Sequence, residues 1–204
     1  MRLSVYYVPA TTCLATVLAL AGFPRSVSPV VPAGPPAPAE VLLVKQRTIP
    51  PGTPVRLQIP SLSVDAPVVP VRLTHAGAME VPAFADTAGW FAPGVRPGES
   101  GNAVLAGHLD AMDGSPGIFW SLHRLHTGDA LTVQDDAGTK LRFHVENIQS
   151  YAMDDVPLQR IFGSSTGARL NLVTCYGKWN KLKETYDRRL VVYASLDPHY
   201  SRQP

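Results

Sequence analysis

Between Val55 and Leu196 the chain repeats one pattern: short apolar runs, each closed by Gly, Asp, Ser or Pro. The runs are VRLQIP (55–60), LSVDAPVVPV (62–71), NAVLAGH (102–108), DALTVQD (129–135), TKLRFHVENIQSY (139–151), ARLNLVTC (168–175) and RRLVVYASL (188–196). Their length and period-two alternation are those of strands, not helices. Pro within the first two points to strand ends or edge strands. The DDAG between two of the runs reads as a hairpin turn. Short helical pieces fit near SPGIFWSLHRL and DDVPLQRIF. Seven or so strands at this spacing predict a mainly β domain, closed or nearly closed into a barrel.

That domain spans 48–204. What precedes it has a different character. From Val5 to Phe23 there are 19 residues without a charge, preceded by Arg2. This is barely long enough to span a bilayer, and Arg2 favours an inside N-terminus. Segment 1–23 therefore reads as an uncleaved signal anchor or as a cleaved signal peptide, with Ala19-Leu20-Ala21 as a small-residue cleavage site. Either way the remainder is exported: extracellular on a single-pass anchor, or secreted. Pro24 to Pro54 then holds nine of the twenty prolines. Such a run stays extended, so 24–47 reads as a Pro-rich linker between membrane and domain. The net charge is only +2, and no basic cluster stands out. That argues against nucleic acid as a partner, because phosphate binding needs gathered Lys and Arg.

Two cysteines are present, Cys13 in the apolar N-terminal run and Cys175 in the domain. An unpaired domain cysteine in an exported protein is a candidate reactive thiol. In ARLNLVTC, Leu170, Leu172 and Thr174 share one face, while Asn171, Val173 and Cys175 share the other. If the Leu face is core, Cys175 points away from it at the strand's end. In RRLVVYASL the same logic sets Leu190, Val192 and Ala194 inward and turns Arg189 to the face of Cys175. Arg188 falls on the core face. His108 stands where NAVLAGH gives way to a loop. Asp110, two residues on, reads as a loop cap that could alternatively bond the imidazole. The His123–His126 pair lacks further ligands at metal-binding spacing, and no acidic calcium cluster is visible, so no metal is expected.

The elements GH (107–108), LVTC (172–175) and RLVVYA (189–194) resemble the signature elements of sortases, extracellular cysteine transpeptidases of Gram-positive bacteria. The family's TLxTC motif appears here as NLVTC, with Asn171 in place of the first Thr. The order His, Cys, Arg, with separations of 67 and 14 residues, is similar too. IPSLSVDAPV, GHLD and the N-terminal segment look most like the actinobacterial class F branch, although Tyr176 stands where that branch often has Gly. The resemblance implies a closed eight-stranded sortase-type barrel with short helices. It implies catalytic roles for His108, Cys175 and Arg189 and no cofactor. Cys175 would attack the Thr–Gly bond of an LPxTG-like sorting signal and hold the acyl group as a thioester. His108 would act as acid and then base, and Arg189 would supply fixed positive charge. Thr174 would hold its hydroxyl toward substrate or satisfy the strand end. Implied partners are proteins with a C-terminal sorting signal and an amine acceptor, either a cell-wall precursor or a pilin lysine. The stretch MDDVPLQRIF (153–162) is apolar enough to form a pocket for Leu and Pro of the signal.

Two other readings fit less well. An exported cysteine hydrolase would end the reaction on water, but papain-like and NlpC-like enzymes place Cys before His. A non-enzymatic surface barrel would leave Cys175 inert, and would require His, Cys and Arg to fall in this order by chance.

Overall fold

Alternation decides which side chains face inward. In ALTVQD, Leu131 and Val133 are buried while Thr132 and Gln134 are half-exposed. PVRLQI buries Leu57 and Ile59 in the same way. Each such Leu, Ile or Val contributes about 1.5–3 kcal/mol when taken from water. A sheet with one apolar face must cover that face, and here the sheet does so by closing on itself.

The computed structural model describes residues 50–197. The expected anchor or signal peptide (1–23), the Pro-rich linker (24–47) and the boundary at residue 48 lie outside the described residues. The strands are β1 (Pro54–Ile59), β2 (Val64–Val71), β3 (Ala88–Phe91), β4 (Gly101–Ala106), β5 (Ala130–Asp135), β6 (Lys140–Ala152), β7 (Ala168–Asn180) and β8 (Thr185–Leu196). One short α-helix, α1, covers Leu158–Phe162. Single 3-10 turns lie at Leu122–Arg124, within the first stretch expected to be helical, and at Met153–Asp155, overlapping the start of the second, which also holds α1. The barrel closes in the order β1-β2-β3-β4-β7-β8-β6-β5. The β2–β3 and β4–β7 pairs are parallel and the rest are antiparallel. The expected mainly β, closed eight-stranded barrel is therefore the observed one. Among the described residues no helix is long and apolar enough to cross a membrane.

The DDAG segment does turn β5 into β6. Asp135 is buried, yet its carboxylate accepts from the backbone N–H groups of Gly52, Ala137 and Thr139. Gly138 takes φ +83 in the turn, a conformation that costs a Cβ-bearing residue energy.

Two strands differ from expectation. β3 (AGWF) is an eighth strand that the sequence does not announce. β7 does not stop at Cys175 but continues to Asn180. Gly177, at φ +92, lies in a bulge between Tyr176 and Trp179, so it bends the strand rather than ending it. The last β4–β7 pair is Ala106 with Val173. Beyond it β7 loses its β4 neighbour but stays paired with β8, which pairs with β6 as far as Arg188, and Cys175 sits just past that last β4–β7 pair.

The barrel interior holds Leu105, Phe143, Leu170, Leu172 and Val192 among others. A second, smaller cluster lies on the outer face of the same strands: Val104, Ile161, Val191 and Tyr193. α1 contributes Ile161 to it. β4 is therefore buried along its whole length. Arg160 of α1 adds a guanidinium 4.2 Å from the centroid of the Tyr193 ring.

Candidate active site

The site grows from the point where β4 ends and the β7–β8 hairpin continues. In the antiparallel register Cys175 pairs with Arg189, so their side chains leave the same face as direct cross-strand neighbours. Tyr176 pairs with Arg188 on the other face. The Arg188 guanidinium is committed there, donating to both the hydroxyl and the carbonyl of Ser150. Arg189 is held by its own strand. One Nη donates to the carbonyls of Tyr186 and Arg188 at 3.2 and 3.0 Å, the other to the Thr185 hydroxyl at 3.1 Å.

Thr174 faces inward. It is 3% exposed, and its hydroxyl donates to the carbonyl of Gly107 at 2.8 Å. Of the two roles considered for this hydroxyl, substrate contact and satisfying the strand end, the side chain takes the second, because alternation turns it to the Leu face inside the barrel. Its bond runs to the residue that precedes His108. The Gly107 N–H in turn donates to the carbonyl of Val173 at 3.1 Å. These two bonds carry the contact one residue past Ala106–Val173, to Gly107, and so start the loop that bears His108 at the Cys175 end of β7. The His108 Nε2 lies 2.7 Å from the carbonyl of Pro82. A carbonyl only accepts, so Nε2 carries a proton and Nδ1 is the ring nitrogen left to exchange one.

Cys175 is a free, half-buried thiol. Burial pushes its pKa above the ordinary value, Arg189 pulls it down, and the Asp110 carboxylate adds a smaller upward push. Burial wins, so the resting residue is a neutral thiol, and its thiolate must be generated by proton transfer to a base.

An open apolar groove of about 590 Å³ adjoins this face. Met153, Leu158 and Phe162 line it from the segment between β6 and β7, and Leu73 and Met79 from the β2–β3 connection with Phe91 at the end of β3. Val173 and Arg189 complete it. The rings of Phe91 and Phe162 meet edge to face, with centroids 5.3 Å apart. The stretch 153–162, expected to form a pocket, lines this one. Two asparagines fasten α1 to the barrel. Asn171 of β7 donates to the carbonyl of Ile161 at 2.8 Å, and Asn102 of β4 to that of Gly163 at 2.6 Å.

Tyr186, which the sequence does not single out, joins the site through Asp110. Asp110 accepts a short hydrogen bond from the Tyr186 hydroxyl on β8, in place of the imidazole bond considered for it. Tyr186 is pushed up to about 12, chiefly by that bond, and stays protonated. Among the described residues no three His, Cys, Asp or Glu side chains gather into a metal-binding group.

The sortase-domain family model matches residues 57–197, most of the chain. The chain belongs to the sortase family. Solved sortases share the fold. Sortase C-1 of Actinomyces oris is 20% identical, with a TM-score of 0.56 over 71% of each chain. A lid mutant of Corynebacterium diphtheriae sortase A is 19% identical, with a TM-score of 0.54 over 76% of this chain and 77% of that one. Streptococcus pneumoniae sortase C is 18% identical, with a TM-score of 0.54 over 74% of this chain and 70% of that one. No curated protein matches the chain. As a sortase it is a transpeptidase, and the cleft between α1 and the β7–β8 pair is its candidate active site.

Proposed function

We propose that this sortase cleaves an LPxTG-like sorting signal through a thioester on Cys175 and transfers the acyl group to an amine. The observation that carries the reading is the Cys175–Arg189 cross-strand pair, set at an apolar groove. The groove takes the Leu and Pro of the signal, whose burial supplies binding. The scissile Thr–Gly carbonyl then lies between the thiol and the guanidinium.

His108 takes the thiol proton, and Sγ bonds to the carbonyl carbon. Negative charge develops on the carbonyl oxygen, and Arg189 stabilises it. The C–N bond breaks as His108 returns the proton to the departing glycine amine. An incoming amine attacks the thioester, His108 accepts a proton from it, and Cys175 leaves and is reprotonated. No metal or cofactor enters these steps. The Thr174–Gly107 bond keeps His108 and Cys175 in step, because it ties the residue before one to the residue before the other.

In this reading 1–23 anchors the protein in the membrane with the domain outside, and 24–47 is the spacer. The substrates are cell-surface proteins with C-terminal sorting signals. The acceptor is a cell-wall precursor amine or a pilin lysine. The Streptococcus pneumoniae relative, described in terms of pilin substrate specificity, favours keeping the second. The likeness to class F rests on IPSLSVDAPV and GHLD in the sequence.

Product analysis with and without an added glycine amine tests the reaction. Amide product that requires the amine supports transfer. Only the hydrolysed acid at saturating amine contradicts it and leaves a cysteine hydrolase.

A further inference from the structure

Asp110 is joined through Tyr186 to Arg189, the cross-strand neighbour of Cys175, and its charge opposes loss of the thiol proton. Nothing in acyl-donor binding calls for it: Asp110, His108 and Tyr186 all lie outside the lining of the apolar groove. Asp110 is half-exposed, and no Lys or Arg pairs with it among the described residues. One oxygen, Oδ2, accepts the Tyr186 hydroxyl. A carboxylate offers about four lone-pair sites, so capacity remains for a second donor. Tyr186 also holds the other charge of the site, since its carbonyl accepts from Arg189 at 3.2 Å. The tyrosine therefore fixes a carboxylate through its side chain and a guanidinium through its backbone.

We infer that Asp110, oriented by Tyr186, docks the ammonium group of the acceptor amine beside the Cys175 thioester, and that this site selects primary alkylammonium acceptors. The inference rests on the transpeptidase reading above. It explains why a negative charge sits where it hinders thiolate formation: the acceptor arrives as a cation, and an unpaired carboxylate concentrates it at the thioester. The docked R–NH3+ gives up one proton to water. Its nitrogen then bonds to the thioester carbon as His108 takes a second proton, the C–S bond breaks, and that proton passes to the Cys175 sulfur. The sum is amide, thiol and one released proton.

The test compares two acceptors on the full chain with one LPxTG peptide as donor. One is a peptide with an N-terminal glycine amine, cationic near neutral pH. The other is hydroxylamine, a neutral nucleophile under the same conditions. The readout is the ratio of their acceptor kcat/KM values. Acylation and folding affect both acceptors alike and cancel. Asp110→Asn should lower the ratio about 3- to 10-fold, the range of a partly exposed ion pair. Asp110→Glu should restore most of it. In the unmodified protein the ratio should fall as salt rises, because screening shortens to a few ångströms near molar salt. If Asp110→Asn fails to fold, that salt titration decides alone. A ratio unmoved by Asp110→Asn or by salt, with the thioester forming, overturns the inference. Absence of any thioester overturns the transpeptidase reading instead.

Discussion

The hydroxyl of Thr174 donates to the carbonyl of Gly107 at 2.8 Å, inside the barrel and out of water. The residue before the candidate nucleophile is thereby bonded to the residue before the candidate acid–base group. Thr174→Val keeps the shape but leaves a buried carbonyl short of a donor. That costs about 1–3 kcal/mol of stability. It should also lower kcat more than it raises donor KM, because alignment is lost rather than binding. Thr174→Ser should retain most of both. Thermal unfolding together with donor-peptide kinetics checks this, and a change confined to KM would speak for a direct substrate contact.

Arg189 and Arg188 are adjacent in sequence and opposite in role. Arg189→Ala should cut kcat/KM about 10²–10³-fold, the loss expected for one charge-stabilising donor. Arg188→Ala removes the bonds to Ser150 that tie β8 to β6. Its effect should fall on stability, about 1–3 kcal/mol, with activity per folded molecule within a few-fold of the original. Equal kinetic losses in both variants would contradict the facing argument.

Cys175 should react slowly as a nucleophile at neutral pH in the absence of substrate. Burial holds its thiol protonated above the usual range. The thiolate fraction, and with it the rate of modification by a methanethiosulfonate reagent, should still be rising past the ordinary thiol pKa. The charged and titratable groups around it are Arg189, Asp110, Tyr186 and His108. Arg189→Ala should move the rate profile to higher pH and Asp110→Asn to lower pH. The folded state also holds this proton more tightly than the unfolded chain does. Its contribution to stability is therefore whole below the unfolded thiol pKa and is lost as pH rises through the folded one. A profile unmoved by either variant would contradict this electrostatic account.

Asn171 stands where the family motif has Thr, and it holds α1 by the carbonyl of Ile161. Thr is too short to reproduce this clasp. Asn171→Thr should raise donor KM several-fold, because α1 forms a wall of the groove, and should leave hydroxylamine capture of a preformed thioester nearly unchanged. An unchanged donor KM would show that α1 is positioned without it.

Much of this site is legible in the sequence because it lies on long alternating strands. Leu170 and Leu172 announce the inner face of β7, and the face of Cys175 follows from them; Leu190 and Val192 do the same for Arg189. β3 is not legible: AGWF is four residues long and its Gly89 packs closely against Val71, a requirement of the neighbouring strand rather than of its own pattern. The length of β7 is obscured because Gly177 reads as a stop and acts as a bulge. Thr174 is ambiguous in sequence because a hydroxyl at a strand end suits solvent, substrate or a buried carbonyl equally. Asp110 and Tyr186 lie 76 residues apart, and no local periodicity reveals such a contact. The covered outer face, where Val104, Val191 and Tyr193 meet Ile161, also depends on α1 folding back over strands distant in the chain.

The central claim is that Cys175 carries the acyl group. Intact-protein mass spectrometry of the chain quenched in acid during turnover of an LPxTG peptide measures it directly. The account predicts a mass increase equal to the peptide through its threonine less one water, mapped to Cys175, removed by hydroxylamine and absent in Cys175→Ala. Peptide cleavage that persists in Cys175→Ala, or an adduct on any other residue, would contradict it.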